Sequence, residues 1–104
     1  MLDKSIIDKI IERILKVIVP EKVILFGSQA RGDAHPESDY DILVIVDKIE
    51  DELKTERQLY KNMFGVGAGV DIIVKTPENV EKSKNMLVSV VKEALKEGIV
   101  IYGC

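Results

Sequence analysis

The sequence predicts an α+β domain, a small mixed β-sheet packed with helices that lie largely on one side of it. Three observations carry this. Isoleucine-rich stretches with helical spacing alternate with short apolar runs bounded by Gly and Pro. The order of these segments is α-β-β-α-β-α-β, with no repeat or linker between them. The length of 104 residues, 46% of them hydrophobic, suits one core and a single domain over residues 1–104.

In the first segment, about residues 4–19, Ile6, Ile7, Ile10, Ile11, Ile14, Leu15 and Ile18 form one apolar helical stripe. Ser5, with Asp8 three residues on, is the expected N-cap. Pro20 stops the helix, because it has no N–H and biases Val19 away from helical geometry. Val23–Phe26 is a buried strand ended by Gly27. Residues 27–38 (GSQARGDAHPES) make a loop with room for one helical turn. Tyr40–Val46 is the second strand.

A helix follows, with Ile49, Leu53, Tyr60 and Phe64 on its apolar face and Leu59 and Met63 beside them. Glu50 and Lys54 form a favourable i,i+4 pair on it. The GVGAG run at 65–69 breaks this helix, and Val70–Val74 is the third strand. Thr76-Pro77-Glu78 starts a last helix with a hydroxyl cap, an N-terminal Pro and an acid at the positive end of the dipole. Leu87, Val88, Val91, Ala94 and Leu95 continue its apolar face to Gly98, and Ile99–Tyr102 is the fourth strand.

Composition excludes several functions. Lys and Arg number 15 against 18 Asp and Glu, a net charge of -3, so no general nucleic-acid binder is expected. Trp is absent, which argues against a stacking surface for single strands. No apolar run reaches the roughly 18 residues of a membrane span, and MLDKSIIDKI lacks a signal peptide's apolar stretch. The lone Cys104 excludes an internal disulfide and a cysteine-based metal site. A cytoplasmic location is expected.

The chemistry gathers around Gly27-Ser28 and Ser38-Asp39-Tyr40-Asp41. Asp39 and Asp41 are two apart at the mouth of a strand, so both point to one face, about 6–7 Å apart at the backbone. Two carboxylates there repel each other, and a hard divalent cation such as Mg²⁺ relieves that repulsion with oxygen ligands. Asp71 stands in a similar context, Val70-Asp71-Ile72-Ile73-Val74. If its strand lies beside Tyr40–Val46, the three acids suit a two-metal site about 3.5–4 Å across, the kind that serves nucleotidyl transfer. Gly27 permits close backbone approach to a ligand, and the Ser28 hydroxyl with neighbouring N–H groups can hold phosphate oxygens. Arg31 offers charge-assisted bonds to phosphate.

This combination resembles the DNA polymerase beta-like nucleotidyltransferase superfamily. Within it, GSQARGDAHPESDYDILV is similar to the minimal nucleotidyltransferases, or MNT proteins, with Gly27, Ser28, Ala30, Arg31, Gly32, Ser38, Asp39 and Asp41 matching their pattern. The resemblance runs the whole chain, including Asp71 and the strand at 99–102. Gln29 stands where many relatives carry Arg. The resemblance implies a nucleotidyltransferase fold and a toxin–antitoxin pair with a small helical HEPN-type ribonuclease. In that pair the MNT member is the antitoxin and transfers AMP from ATP to a tyrosine of the toxin. Carried over, Asp39 and Asp41 would bind Mg²⁺, with two ions expected. Asp71 would be a third ligand or the base for the acceptor hydroxyl. Gly27, Ser28 and Arg31 would bind the triphosphate.

Two other functions compete: an antitoxin that silences its partner by covering it, and a nucleotidyltransferase acting on a small molecule. Other features read more simply. Gly65, Gly67 and Gly69 precede a strand, so they form a flexible turn and not a dinucleotide loop. His35 faces solvent, Ser38 supports the turn before Asp39, and Tyr40 faces away from the two acids that flank it.

Overall fold

A computed structural model describes residues 3–35, 38–47, 49–83 and 89–103. Helix α1 (Lys4–Leu15) leads into strand β1 (Lys22–Phe26), and the short helix α2 (Ser28–Arg31) leads into β2 (Tyr40–Ile45). Next come α3 (Glu52–Lys61), β3 (Val70–Lys75), α4 (Pro77–Ser83), α5 (Val90–Glu97) and β4 (Ile99–Gly103). The sheet order is β3-β2-β1-β4. Strand β1 pairs antiparallel with both β2 and β4, while β2 and β3 are parallel, so the sheet is mixed as expected.

The isoleucine stripe of α1 does what its spacing demands. Ile7, Ile10 and Ile14 are buried against Val23, Leu25, Ile42 and Val44. The cap differs from expectation: Asp3 Oδ1, not Ser5, accepts from the N–H groups of Ser5 (3.0 Å) and Ile6 (3.3 Å). The helix ends at Leu15, well before Pro20.

Helix α3 corrects the expected apolar face. Leu59 and Met63 are buried in the core with α1, whereas Leu53, Tyr60 and Phe64 are 62%, 59% and 89% exposed. Both sets have helical spacing, and the docking of α3 beside α1 decides between them. Arg13 Nη1 donates to the carbonyls of Asn62 (3.2 Å) and Phe64 (2.7 Å), and Asn62 Nδ2 donates back to the Arg13 carbonyl (2.8 Å). Glu50 precedes the N-cap Asp51, so it is outside the helix and the expected i,i+4 pair with Lys54 does not form. Instead Glu52 and Glu56 serve the edge strand: Glu56 Oε2 accepts from Val74 N–H (3.2 Å), and Glu52 Oε2 accepts from Thr76 N–H (2.7 Å) and Asn79 Nδ2 (2.9 Å). These bonds occupy backbone donors that an edge would otherwise leave open.

The last helix is two helices. Ser89 is extended and caps α5 afresh, its Oγ accepting from Lys92 N–H at 3.2 Å. Leu87 and Val88, expected on its apolar face, lie outside the described residues, as does Cys104. The helices are also not confined to one side. α1 and α3 cover one face of the sheet; Val91 and Ala94 of α5 pack on the other, against Ile24, Phe26, Leu43 and Ile45. Among the described residues, no helix is long and apolar enough to cross a membrane.

Candidate active site

Strand alternation places Asp41 on the α5 face, between Tyr40 and Ile42, which point into the core under α1. Tyr40 therefore faces away from the acids, as its position predicts, and is buried. In the sheet register Asp41 pairs with Asp71 across parallel β2 and β3, and with Phe26 across antiparallel β1. The parallel register points the Asp41 and Asp71 side chains to the same face from adjacent strands. Asp39 sits two residues before Asp41, at the entrance to β2.

Glycine makes the room. Gly27 ends β1 at φ 74°, a conformation that suits a residue without Cβ. A Cβ there would overlap Asp41 Oδ2, so the carboxylate occupies the space a side chain would take. Gly69 plays the same part for Asp39, whose Oδ1 lies where a Cβ would stand. The Gly69 carbonyl also accepts the Tyr40 N–H at 2.9 Å, which ties the turn before β3 to the start of β2. The glycine run at 65–69 is thus more than a flexible turn, and its last member belongs to the site. The signal was its place, two residues before Asp71.

Ser28 opens α2, with Gly27 as N-cap, so the first amides of that turn have no carbonyl behind them. Ser38 supports the loop: its Oγ accepts from His35 N–H (2.8 Å), and its carbonyl accepts from Gln29 Nε2 (3.1 Å). His35 is exposed. A cavity of about 500 Å³ opens behind this loop, lined by Asp3, Gln29, His35, Ser38, Tyr40 and Gly69 among others, and none of the three acids lines it.

The electrostatics of the acid set are uncompensated. Among the described residues, none of Asp39, Asp41 and Asp71 is ion-paired. Half-burial holds the Asp41 carboxyl above the usual carboxylate range, and the charges of Asp71, Asp39 and Glu93 push it the same way against the pull of Arg31. Oxygen donors that repel one another and lack a cationic partner fit a hard divalent ion. The three carboxylates nonetheless stand apart: among the described residues, no group of three or more His, Cys, Asp or Glu is gathered closely enough to hold a metal. Glu93, on α5, is a member of this field that the sequence did not reveal.

Arg31 is exposed but ion-paired. Its Nε meets Asp33 Oδ2 at 3.2 Å, and its Nη1 meets Glu97 Oε2 at 3.3 Å and Glu93 Oε1 at 3.6 Å.

Residues 5–101 match the family model described as nucleotidyltransferase domain. The chain belongs to the nucleotidyltransferase family. A relative from Methanocaldococcus jannaschii, named "putative protein adenylyltransferase MJ0604", is 39% identical over 85 residues, which cover 79% of this chain and 78% of that protein. Two solved structures share the nucleotidyltransferase fold. One is a toxin–antitoxin with AMP-PNP, 22% identical, covering 94% of this chain and 73% of that chain at a TM-score of 0.64. The other is the complex of a tri-AMPylated Shewanella oneidensis HEPN toxin with MNT antitoxin, 19% identical, covering 97% of this chain and 72% of that chain at a TM-score of 0.63. This nucleotidyltransferase is therefore an enzyme of a known reaction class, transfer of a nucleotidyl group.

Proposed function

We propose that this chain is a single catalytic domain over residues 1–104 that transfers AMP from ATP to a protein hydroxyl. The acceptor is a tyrosine on a HEPN-type toxin, which the transfer silences in the cytoplasm. The observation that carries the reading is the register pairing of Asp41 with Asp71 on one face, with Gly27 directly beside Asp41. The adenylyltransferase name of the Methanocaldococcus relative supports it, as does the AMPylated toxin in the Shewanella complex.

Drawn closer together than they stand here, Asp39, Asp41 and Asp71 would hold Mg²⁺, whose bound charge would neutralise the triphosphate and make the acceptor hydroxyl more acidic. The chain's own groups do the rest. Gly27 leaves room for the Asp41 carboxylate, and the Ser28 hydroxyl and the first amides of α2 donate to the phosphate oxygens. Arg31 supplies a guanidinium for charge-assisted bonds to the same oxygens. The acceptor oxygen attacks the α-phosphorus, the bond to pyrophosphate breaks, and the exposed Asp71 can take the hydroxyl proton.

The test is transfer of label from α-labelled ATP to a HEPN-type partner. The wild-type chain labels the partner; Asp39→Asn with Asp41→Asn abolishes labelling while the fold persists. Undiminished labelling by that variant would overturn the reading. The exposed Leu53, Tyr60 and Phe64 favour a second reading, silencing by coverage. Full silencing by the same unlabelling variant would decide for it.

A further inference from the structure

Arg31 is held by two carboxylates of α5, and this bears on nucleotide binding if the chain binds ATP as read above. We propose that Glu93 and Glu97 form a latch that holds Arg31 in the nucleotide-free protein and must release it to an incoming triphosphate.

Glu93 and Glu97 are one helical turn apart, so both project from the same side of α5. Like charges at that spacing repel, and a cation between them relieves the repulsion. Arg31 is that cation, meeting both through the single atom Nη1 while Asp33 holds Nε. α5 is not free to follow a moving guanidinium. Val91 and Ala94 are buried on the sheet, and Gly98 brings the helix end so close that a Cβ there would overlap Ala94 O and Ile24 Cγ2.

Arg31 is equally well fixed relative to the proposed phosphate site. Its backbone N–H donates to Gly27 O at 3.0 Å, and Gly27 is the residue against which Asp41 rests. One guanidinium thus has two anionic claimants, the glutamate pair of α5 and a phosphate on the Gly27-Ser28 turn. The contacts to the glutamates are exposed, with 40% of the Arg31 side chain open to solvent, so they are weak and screened by salt. A polyphosphate carries more charge and can engage the planar fork at two atoms. The latch is therefore strong enough to bias Arg31 in the empty protein and weak enough to yield.

The test is calorimetric titration of ATP in the presence of Mg²⁺ against four chains: wild type, Glu93→Gln with Glu97→Gln, Arg31→Ala, and all three together. The two carboxamides should lower the Kd about two- to fivefold, the worth of one exposed charged contact. That gain should vanish in the Arg31→Ala background, because no guanidinium is left to release. Equal or weaker binding by the carboxamide variant overturns the latch. A gain that persists without Arg31 also overturns it, since general repulsion of phosphate would then explain the change. If wild type binds ATP and the gain is absent, the latch alone fails; if wild type binds no ATP, the nucleotide reading fails and the latch with it. Melting curves confirm folding, and Glu97→Gln alone replaces the double change if that variant unfolds.

Discussion

The two faces of the sheet are built for different purposes. The face under α1 and α3 is apolar from end to end, with Ile10, Ile14, Leu25, Ile42 and Leu59 all excluded from water. The face under α5 has a smaller apolar cluster around Phe26 and Leu43, and at one end it carries Asp41 and Asp71 on neighbouring strands. No ion pair offsets those acids among the described residues. The first face holds the chain together. The second keeps repelling carboxylates together at a local cost in stability, the usual trade at a functional site.

That contrast can be broken in four places. The largest expected effect is on the first face. Ile10→Ala leaves a cavity in the core and should cost about 2–5 kcal/mol in a denaturant melt, with transfer activity unchanged while the chain is folded. Next is Gly27→Val on the second face. Its Cβ takes the space of Asp41 Oδ2, and transfer should fall about a hundredfold or more, roughly 2.7 kcal/mol of barrier. Gly32→Ala is its control. Gly32 has φ 84° but nothing within 4 Å of an added Cβ, so it should cost only about 1–2 kcal/mol of stability and little activity.

The third place is Asp41 itself. Its carboxyl binds a proton more tightly folded than unfolded, so stability falls as pH rises from the ordinary carboxylate range through the raised value. Above the raised value the penalty is fully present. Asp41→Asn should then melt a few degrees higher than wild type at pH 7, and the difference should close at acidic pH, as read by a melting series across pH. The smallest effect is expected at Phe64→Ser. That side chain is almost fully exposed, and stability should stay within about 0.5 kcal/mol.

The same contrast explains what the sequence discloses. The α1 stripe is legible because its isoleucines all serve one face. The α3 stripe is not, because Leu53-Tyr60-Phe64 and Leu59-Met63 both satisfy helical spacing and only docking against Arg13 and the core chooses between them. The break before α5 escapes the pattern because Val91 and Ala94 keep the periodicity that Leu87 and Val88 begin. In the candidate site, Gly27, Ser28, Asp39 and Asp41 are local in sequence and stand out, and the strand context of Asp71 points to it. Gly69 and Glu93 do not stand out. Each acts through a contact or field with residues distant in the chain, and only the place of Gly69 two residues before Asp71 marks either of them.

The claim that the acid face binds Mg²⁺ and ATP through Asp41 is tested most directly by melting the wild-type and Asp41→Asn chains with and without Mg²⁺ and ATP. At ten times its Kd a ligand adds about 1.4 kcal/mol, so wild type should melt about 5–10 °C higher when loaded, and Asp41→Asn should gain almost nothing. An equal gain in both chains would contradict the account.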